Sequence, residues 1–378
     1  MKIGIDISQI VYRTGVSRYT EELVKSLIKL DKKNKYVLFG FSFRRKKELN
    51  NYHTTVCGNY CEGKIFPFPP TMMEILWNQL HILPIEKLIG EVDIFHSSDW
   101  TQPPSNYKKI TTVHDLSFLR YPDSFPKKII NNHKRRLCWV KKECDMVIAD
   151  SMATKRDLVE LLGFDEKKIR VVYLGVSSKF KVKSSKLQSK VQSIKKKYKI
   201  NGDYILSVGT LEPRKNLKRT IEAFNLIIKK KNNRTIKLVL VGKFGWGENI
   251  RQSAINNQQL SIITTGYISD EDLAYLYQGA RCFVYPSLYE GFGLPVLEAM
   301  AAGCPVITSN VSSLPEVAGE AAILVNPKKT SEIAQAINEI IAIPQLSQNL
   351  RKKGLVQVNK FSWQKTARET LRAYESLQ

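Results

Sequence analysis

Short apolar, β-branched runs alternate with helical segments along the whole of this 378-residue chain. Strands that are covered on both faces read as continuous apolar runs, and parallel neighbours need a helical return between them. The alternation therefore predicts α/β domains built on parallel sheets. In the first half the strand candidates are KIGIDI, KYVLFGF, VDIFHSS, KITTVHD, MVIADS and IRVVYLG. In the second half they are YILSVGT, KLVLVGK, SIITTG, CFVYPS, PVITSN and AAILVN. Helices such as SRYTEELVKSLIKL and NLKRTIEAFNLIIKKK fit between them. Two series, on a chain too long for one ordinary core, predict two Rossmann-like domains. Their expected extents are 1–178 and 200–360, joined by a lysine-rich, acid-free connector. A last amphipathic helix, within 361–378, is expected to pack back on the first domain. Ligands of such sheets bind at the carboxyl ends of the strands. With two domains facing across a cleft, the natural site lies between them.

The formal net charge is +24, with 59 Lys and Arg against 35 Asp and Glu. That charge favours anionic partners, namely phosphates, acidic lipid headgroups or nucleic acid. A lysine-rich solvated surface explains it equally well. No apolar run approaches the roughly 20 residues that span a bilayer. The opening MKIGIDIS enters a strand without a signal-peptide core, so a cytoplasmic location is expected. FPKKIINNHKRRLCWVKK, residues 125–142, mixes apolar residues with a dense basic face, as helices lying on an anionic membrane surface do. Among the six cysteines only Cys57 and Cys61 lie close together. With no second pair or nearby histidine completing a four-ligand zinc site, reduced and mostly buried thiols are the expectation.

Several positions carry chemistry. Gly15, after the first strand and before a helix, could present backbone N–H groups to an anion, although a simple turn glycine explains it as well. His114, in the VHD that closes a strand, could hydrogen-bond a hydroxyl. Arg214 and Lys215, in the strand-to-helix loop GTLEPRKN at 209–216, join a planar fork to a point charge, as a diphosphate requires. SLYEGFGLPVLEAM at 287–300 places Glu290 on a loop and Glu298 in the predicted first turn of a helix, with Pro295 at its first position. Gly291 and Gly293 between them let the backbone approach a ligand. Two acceptors flanking a donor-rich loop suit a ligand with hydroxyls at both ends and negative charge between, the pattern of a nucleotide-sugar. The helix dipole alone would explain Glu298, but not Glu290 or the glycines. Asp270-x-Asp272 looks like a metal-binding pair, yet Ser269 reads as an N-cap with both acids in a first helical turn, so no metal is expected there.

These segments together resemble family 4 retaining glycosyltransferases of GT-B fold, within the glycosyl transferases group 1. VHDLSF, VIADS, IRVVYLGV, GTLEPRKN, LVLVGK and above all EGFGLPVLEAMAAGCPVITSNVSSLPEVAGEAAILVNP carry the resemblance. It implies that Glu290 binds the hexose hydroxyls of the donor, Glu298 the ribose diol, and Arg214 with Lys215 the diphosphate. Amides from Phe292, Gly293 and Leu294 would seat sugar and phosphate, His114 would contact the hexose, and Gly15 would abut the donor phosphates or acceptor. Where many members carry arginine after the glycine, this chain has Thr210, so phosphate binding leans on Arg214 and Lys215.

The implied reaction is metal-independent hexosyl transfer with retention, by departure and attack on one face of the sugar. GTLEPRKN and VGKFGWGEN look most like mannosyltransferases of bacterial surface polysaccharide or lipopolysaccharide. GDP-mannose is thus the favoured donor, with UDP- and dTDP-sugars as alternatives, and a saccharide or lipid-linked molecule is the acceptor. A nucleotide-sugar epimerase or hydrolase of the same fold is the nearest competitor. A nicotinamide dehydrogenase would need GxGxxG with an acid about 20 residues on, which neither half has. A nucleic-acid-binding protein would explain the charge but not the paired glutamates, so no specific nucleic-acid partner is expected.

Overall fold

The structure, a computed structural model, describes residues 1–57, 61–181, 187–231, 236–243, 245 and 261–378. It divides into two compact units, Met1–Gly175 with Trp363–Gln378, and Val176–Ser362.

The first unit holds a seven-stranded sheet in the order β3-β2-β1-β4-β5-β6-β7. Its strands are β1 (Lys2–Asp6), β2 (Lys35–Phe41), β3 (Cys61–Phe66), β4 (Ile94–Ser97), β5 (Lys108–Val113), β6 (Met146–Ala149) and β7 (Ile169–Val171). Every neighbouring pair is parallel. The order runs outward both ways from β1, which makes a topological switch point where β1 meets β4. On β2 the alternate residues Val37, Phe39 and Phe41 enter one core with Trp77 and Phe95, as the two-residue period of a strand requires. Another core gathers Val113, Leu137, Val140, Val147 and Leu158.

Helix Gly15–Leu30 starts on a capping box between Thr14 and Ser17 and buries Tyr19, Leu23, Val24 and Leu27. The final helix, Trp363–Glu375, packs along it. Thr366 Oγ1 donates to the Tyr173 carbonyl at 2.8 Å, and Tyr374 OH lies 2.7 Å from His96 Nδ1, so this helix is locked to the sheet it covers.

The second unit is a six-stranded parallel sheet in the order β10-β9-β8-β11-β12-β13. Its strands are β8 (Tyr204–Val208), β9 (Lys237–Val241), β10 (Ile262–Gly266), β11 (Cys282–Tyr285), β12 (Val306–Ser309) and β13 (Ala322–Val325). Ile205, Phe224, Leu238, Leu240, Val284, Ile307 and Ile337 form its core. The residues read as a connector contribute Ser178–Phe180 and helix Leu187–Lys197, which packs on helix Asp270–Gly279. Just past β9, a Cβ on Gly242 would fall 1.9 Å from the Gly209 carbonyl oxygen. Only glycine lets those two strand ends approach so closely.

Three expectations need correction. Strand β3 escaped the sequence reading because CEGKIF, on the sheet edge, is only half-buried and carries no continuous apolar run. Cys57 and Cys61, expected as thiols, are joined as a disulfide, whereas Cys138, Cys144, Cys282 and Cys304 are thiols. Helix Lys127–Glu143 forms where the basic amphipathic segment was read, but Leu137 and Val140 on its apolar side enter the core together with Phe125 and Ile130. Its Arg136 is buried too, donating to Thr111 Oγ1 at 2.5 Å. Only the basic side is left to meet a surface. Among the described residues no helix is long and apolar enough to cross a membrane.

Candidate active site

The turn Pro213–Lys215 follows β8, and Asn216 behind it adopts a left-handed conformation, φ 60°, which Asn tolerates better than most residues. The Asn216 side-chain amide donates to the carbonyls of Pro286, at 2.9 Å, and Pro327, at 2.6 Å. Those two prolines stand just past β11 and β13, so one side chain fastens three loops at the carboxyl ends of parallel strands. The Leu288 N–H adds a 2.9 Å bond to the Arg214 carbonyl.

That fastening brings Arg214 and Lys215 against Glu290. Glu290 Oε2 accepts from Arg214 Nη1 at 2.8 Å, and Oε1 accepts from Lys215 Nζ at 2.6 Å. Oε1 also takes the hydroxyl of Tyr285, the last residue of β11, at 2.7 Å. The second guanidinium edge of Arg214 meets Glu212 Oε1 at 2.7 Å. Arg214 and Glu290 are 9% and 6% exposed, which dismisses the view of two loose charges in a solvated loop. Burial alone would raise the Glu290 carboxyl, but Arg214 and Lys215 outweigh it and hold it down at about 2. Burial lowers the Lys215 ammonium, with Glu290 pulling the other way. Burial and the Glu290 carboxylate both push the Tyr285 phenol well up, so it stays a donor.

The backbone of Glu290 is fixed by the loop after β12. Its N–H donates to Ser312 Oγ at 3.0 Å, and Ser313 Oγ lies 2.9 Å from the carbonyls of both Glu290 and Phe292. Gly293 caps the next helix with φ 100°, and a Cβ there would come within 2.7 Å of Leu314 Cδ2. The Phe292 ring is buried edge-on against Phe361, with centroids 5.9 Å apart. Thr210 is exposed beside Gly209 at the end of β8.

Glu298 departs from expectation. Helix Leu294–Ala301 begins at Leu294 itself, which places Pro295 second and Glu298 beyond the first turn. The dipole explanation for its acid thereby weakens. Glu298 is buried, its Oε2 accepting from Tyr277 OH at 3.3 Å. Arg214, Lys215 and Glu290 thus form one hydrogen-bonded cluster, while Glu298 bonds to a different helix.

In the first unit, His114 follows β5 and donates or shares a proton with Asp150 Oδ2, just past β6, at 2.6 Å. Burial works against the imidazolium, but the Asp150 carboxylate prevails and raises its pKa. Tyr19 meets the ring edge-on at 4.6 Å. A hollow lined by Asp6, Tyr19, Ser97, Ser98, Asp99 and His114 opens at the carboxyl ends of β1, β4 and β5. Gly15 is exposed at the start of its helix, and a Cβ there would meet nothing within 4 Å.

Sequence reasoning missed Tyr285, Asn216, Ser313 and Asp150. Tyr285 and Asp150 each stand where a strand ends, so the rule that singled out His114 applied to them as well. Ser269 caps its helix by accepting from Asp272 N–H at 3.2 Å, and Asp272 receives Lys197 and Tyr198, both at 2.6 Å. Most of VGKFGWGEN lies outside the described residues.

A family model described as Glycosyl transferases group 1 matches residues 188–357, and one described as Glycosyltransferase Family 4 matches residues 13–180. The chain is 31% identical over 390 residues to O-antigen chain mannosyltransferase B of Escherichia coli, covering 100% of both proteins. It is 32% identical over 241 residues to O-antigen chain mannosyltransferase RfbU of Salmonella typhimurium, covering 62% of this chain and 61% of that protein. Among solved structures it is similar in fold to Anabaena Alr3699/HepE in complex with UDP and glucose, with a TM-score of 0.74 at 16% identity over 100% of both chains.

Proposed function

This chain belongs to the group 1, family 4 glycosyltransferases, and on that premise we propose that it transfers mannose from GDP-mannose to a saccharide or lipid-linked acceptor in surface polysaccharide synthesis. The observation that carries the reading is the buried Arg214–Glu290–Lys215 cluster at the carboxyl ends of β8 and β11. A nucleoside diphosphate needs concentrated positive charge, and a hexose needs a fixed acceptor for its hydroxyls. Arg214 and Lys215 supply the first, and Glu290, kept ionised by them, supplies the second. Phe292, Gly293 and Leu294 line the donor, with Gly15 and Thr210 near its phosphates, Glu298 at its ribose, and His114 at the hexose. Mannose follows from the names of the relatives, and a UDP- or dTDP-sugar is the alternative donor.

The reaction retains configuration. The bond from the anomeric carbon to the β-phosphate oxygen breaks as the acceptor oxygen bonds to that carbon on the same face. The acceptor proton passes to the departing phosphate oxygen, and nucleoside diphosphate leaves. Lys215 and Arg214 stabilise the charge that develops there, so the proposal is metal-independent. The exposed basic side of helix Lys127–Glu143 would hold the enzyme at an anionic membrane, its location being the cytoplasmic face.

The purified chain is to be incubated with GDP-, UDP- and dTDP-sugars, with and without a mannan oligosaccharide acceptor. Acceptor-dependent release of GDP from GDP-mannose, yielding an α-linked product, is the expected result. Transfer from a different sugar nucleotide would replace the donor assignment, and a β-linked product would overturn retention. Free epimerised or hydrolysed sugar without acceptor would instead establish an epimerase or hydrolase.

A further inference from the structure

At the edge of the first sheet three metal-ligating side chains converge. His53 lies in the last turn of helix Lys46–Val56, and Cys57 follows it as the cap, its N–H donating to the His53 carbonyl at 2.8 Å. Cys61 opens β3 and pairs with Tyr36. The two cysteine Cα atoms are 5.2 Å apart, and one ligand atom from each of the three residues lies within 4.8 Å of the others. A zinc ion with bonds of about 2.0–2.3 Å to nitrogen and sulfur draws tetrahedral ligands to within roughly 4 Å of one another. Opening the disulfide lets the two sulfurs part to that spacing, and the imidazole already stands within reach of both.

Two further observations point to a ligand. His53 Nε2 is buried and has no hydrogen-bond partner among the described residues. A buried imidazole nitrogen without a partner is costly unless something takes its lone pair or proton. Gly63 also makes room for the ring, because a Cβ there would sit 2.7 Å from His53 Cδ2. A glycine in a strand weakens it, and here its absent side chain is the space the imidazole occupies.

We propose that in the dithiol form His53, Cys57 and Cys61 bind a thiophilic divalent cation, with Zn²⁺ the best match to one imidazole and two thiolates, and that disulfide formation empties the site. A thiol or phosphine reductant breaks the S–S bond, two electrons and two protons entering to give two thiols. Metal binding then releases those protons as the thiolates coordinate. The fourth tetrahedral position is left to water. The site ties the end of a helix to the edge strand β3, so occupancy staples an edge that is otherwise only half-buried. It takes no part in the transfer reaction and does not rest on the proposed donor.

The test uses the full chain in a Cys138→Ser background, since Cys138 is an exposed thiol. Protein reduced with a phosphine and protein left oxidised are each titrated anaerobically with Zn²⁺ alone, against a chromophoric chelator. The reduced chain is expected to bind one zinc per chain and the oxidised chain none. His53→Ala, Cys57→Ser, Cys61→Ser and Gly63→Ala should each weaken binding at least tenfold. Co²⁺ should give the intense visible bands of a tetrahedral site with thiolate charge transfer. No zinc on the reduced chain that keeps His53, Cys57 and Cys61 overturns the proposal, and that comparison needs no substitution at the site. Equal binding by reduced and oxidised chains, or binding that survives the double substitution Cys57→Ser/Cys61→Ser, overturns it too.

Discussion

Lys215 Nζ donates to Glu290 Oε1 at 2.6 Å, while Arg214 holds the other oxygen of the same carboxylate at 2.8 Å. The acid read as a sugar acceptor and the bases read as phosphate donors are thus partners of one another. Each sets the protonation state the other needs.

Lys215→Ala removes one of the two cations assigned to the leaving phosphate. Turnover should fall by about 100- to 1,000-fold, the usual cost of deleting one preorganised donor. Arg214 still neutralises Glu290, so circular dichroism should report an intact fold. Near-normal kcat with the preferred donor would remove Lys215 from charge stabilisation.

Glu290→Ala should cripple transfer and also destabilise the chain. It leaves two largely buried cations without their shared partner, a loss of about 3–5 kcal/mol for breaking such a pair. Urea unfolding measures the second effect, and unchanged kinetics would discard the hexose role.

The same carboxylate makes stability depend on acid. Its folded pKa of about 2 lies below the ordinary 4.5, so its contribution is complete above that ordinary value. It drains away as pH falls from there through about 2. Wild type should lose more unfolding free energy between pH 5 and pH 3 than Glu290→Gln. Parallel losses would show that the cluster does not titrate as described.

Asp150→Asn should lower the titration of His114, because Asp150 is what holds that imidazolium up against burial. For a raised histidine the stabilisation is complete below its ordinary pKa and is lost as pH rises through the folded one. Imidazole proton resonances followed across pH would reveal the shift. A His114 curve indifferent to the substitution would mean that the 2.6 Å contact carries no charge.

Asn216→Ala orphans the Pro286 and Pro327 carbonyls and places alanine at φ 60°. Each unsatisfied carbonyl should cost about 1–3 kcal/mol. Thermal unfolding should register the loss, and a variant as stable as wild type would show that the three loops are held by other contacts.

Much of this was readable from the residues. Every strand of the second sheet was found, the edge strands β10 and β13 included, since each reads as an apolar or β-branched run. Arg214, Lys215 and Glu290 were found because a cation pair in a strand-to-helix loop and an acid in a glycine-rich loop are local patterns. β3 was not, because an edge strand needs no such run. Nor were Asn216 and Ser313 legible, since their significance lies in partners from 21 to 111 residues away.

Local order along the chain determined the alternation of strand and helix, the parallel sheets and the loops that bear charge, because period and turn chemistry are properties of neighbouring residues. Tertiary structure alone decided that Glu290 would be gripped by both cations. It also moved Glu298 out of the first helical turn and drew His53, Cys57 and Cys61 to one corner. Those outcomes depend on which strand ends lie side by side, and desolvation and hydrogen bonding act only on groups that folding has already brought within reach.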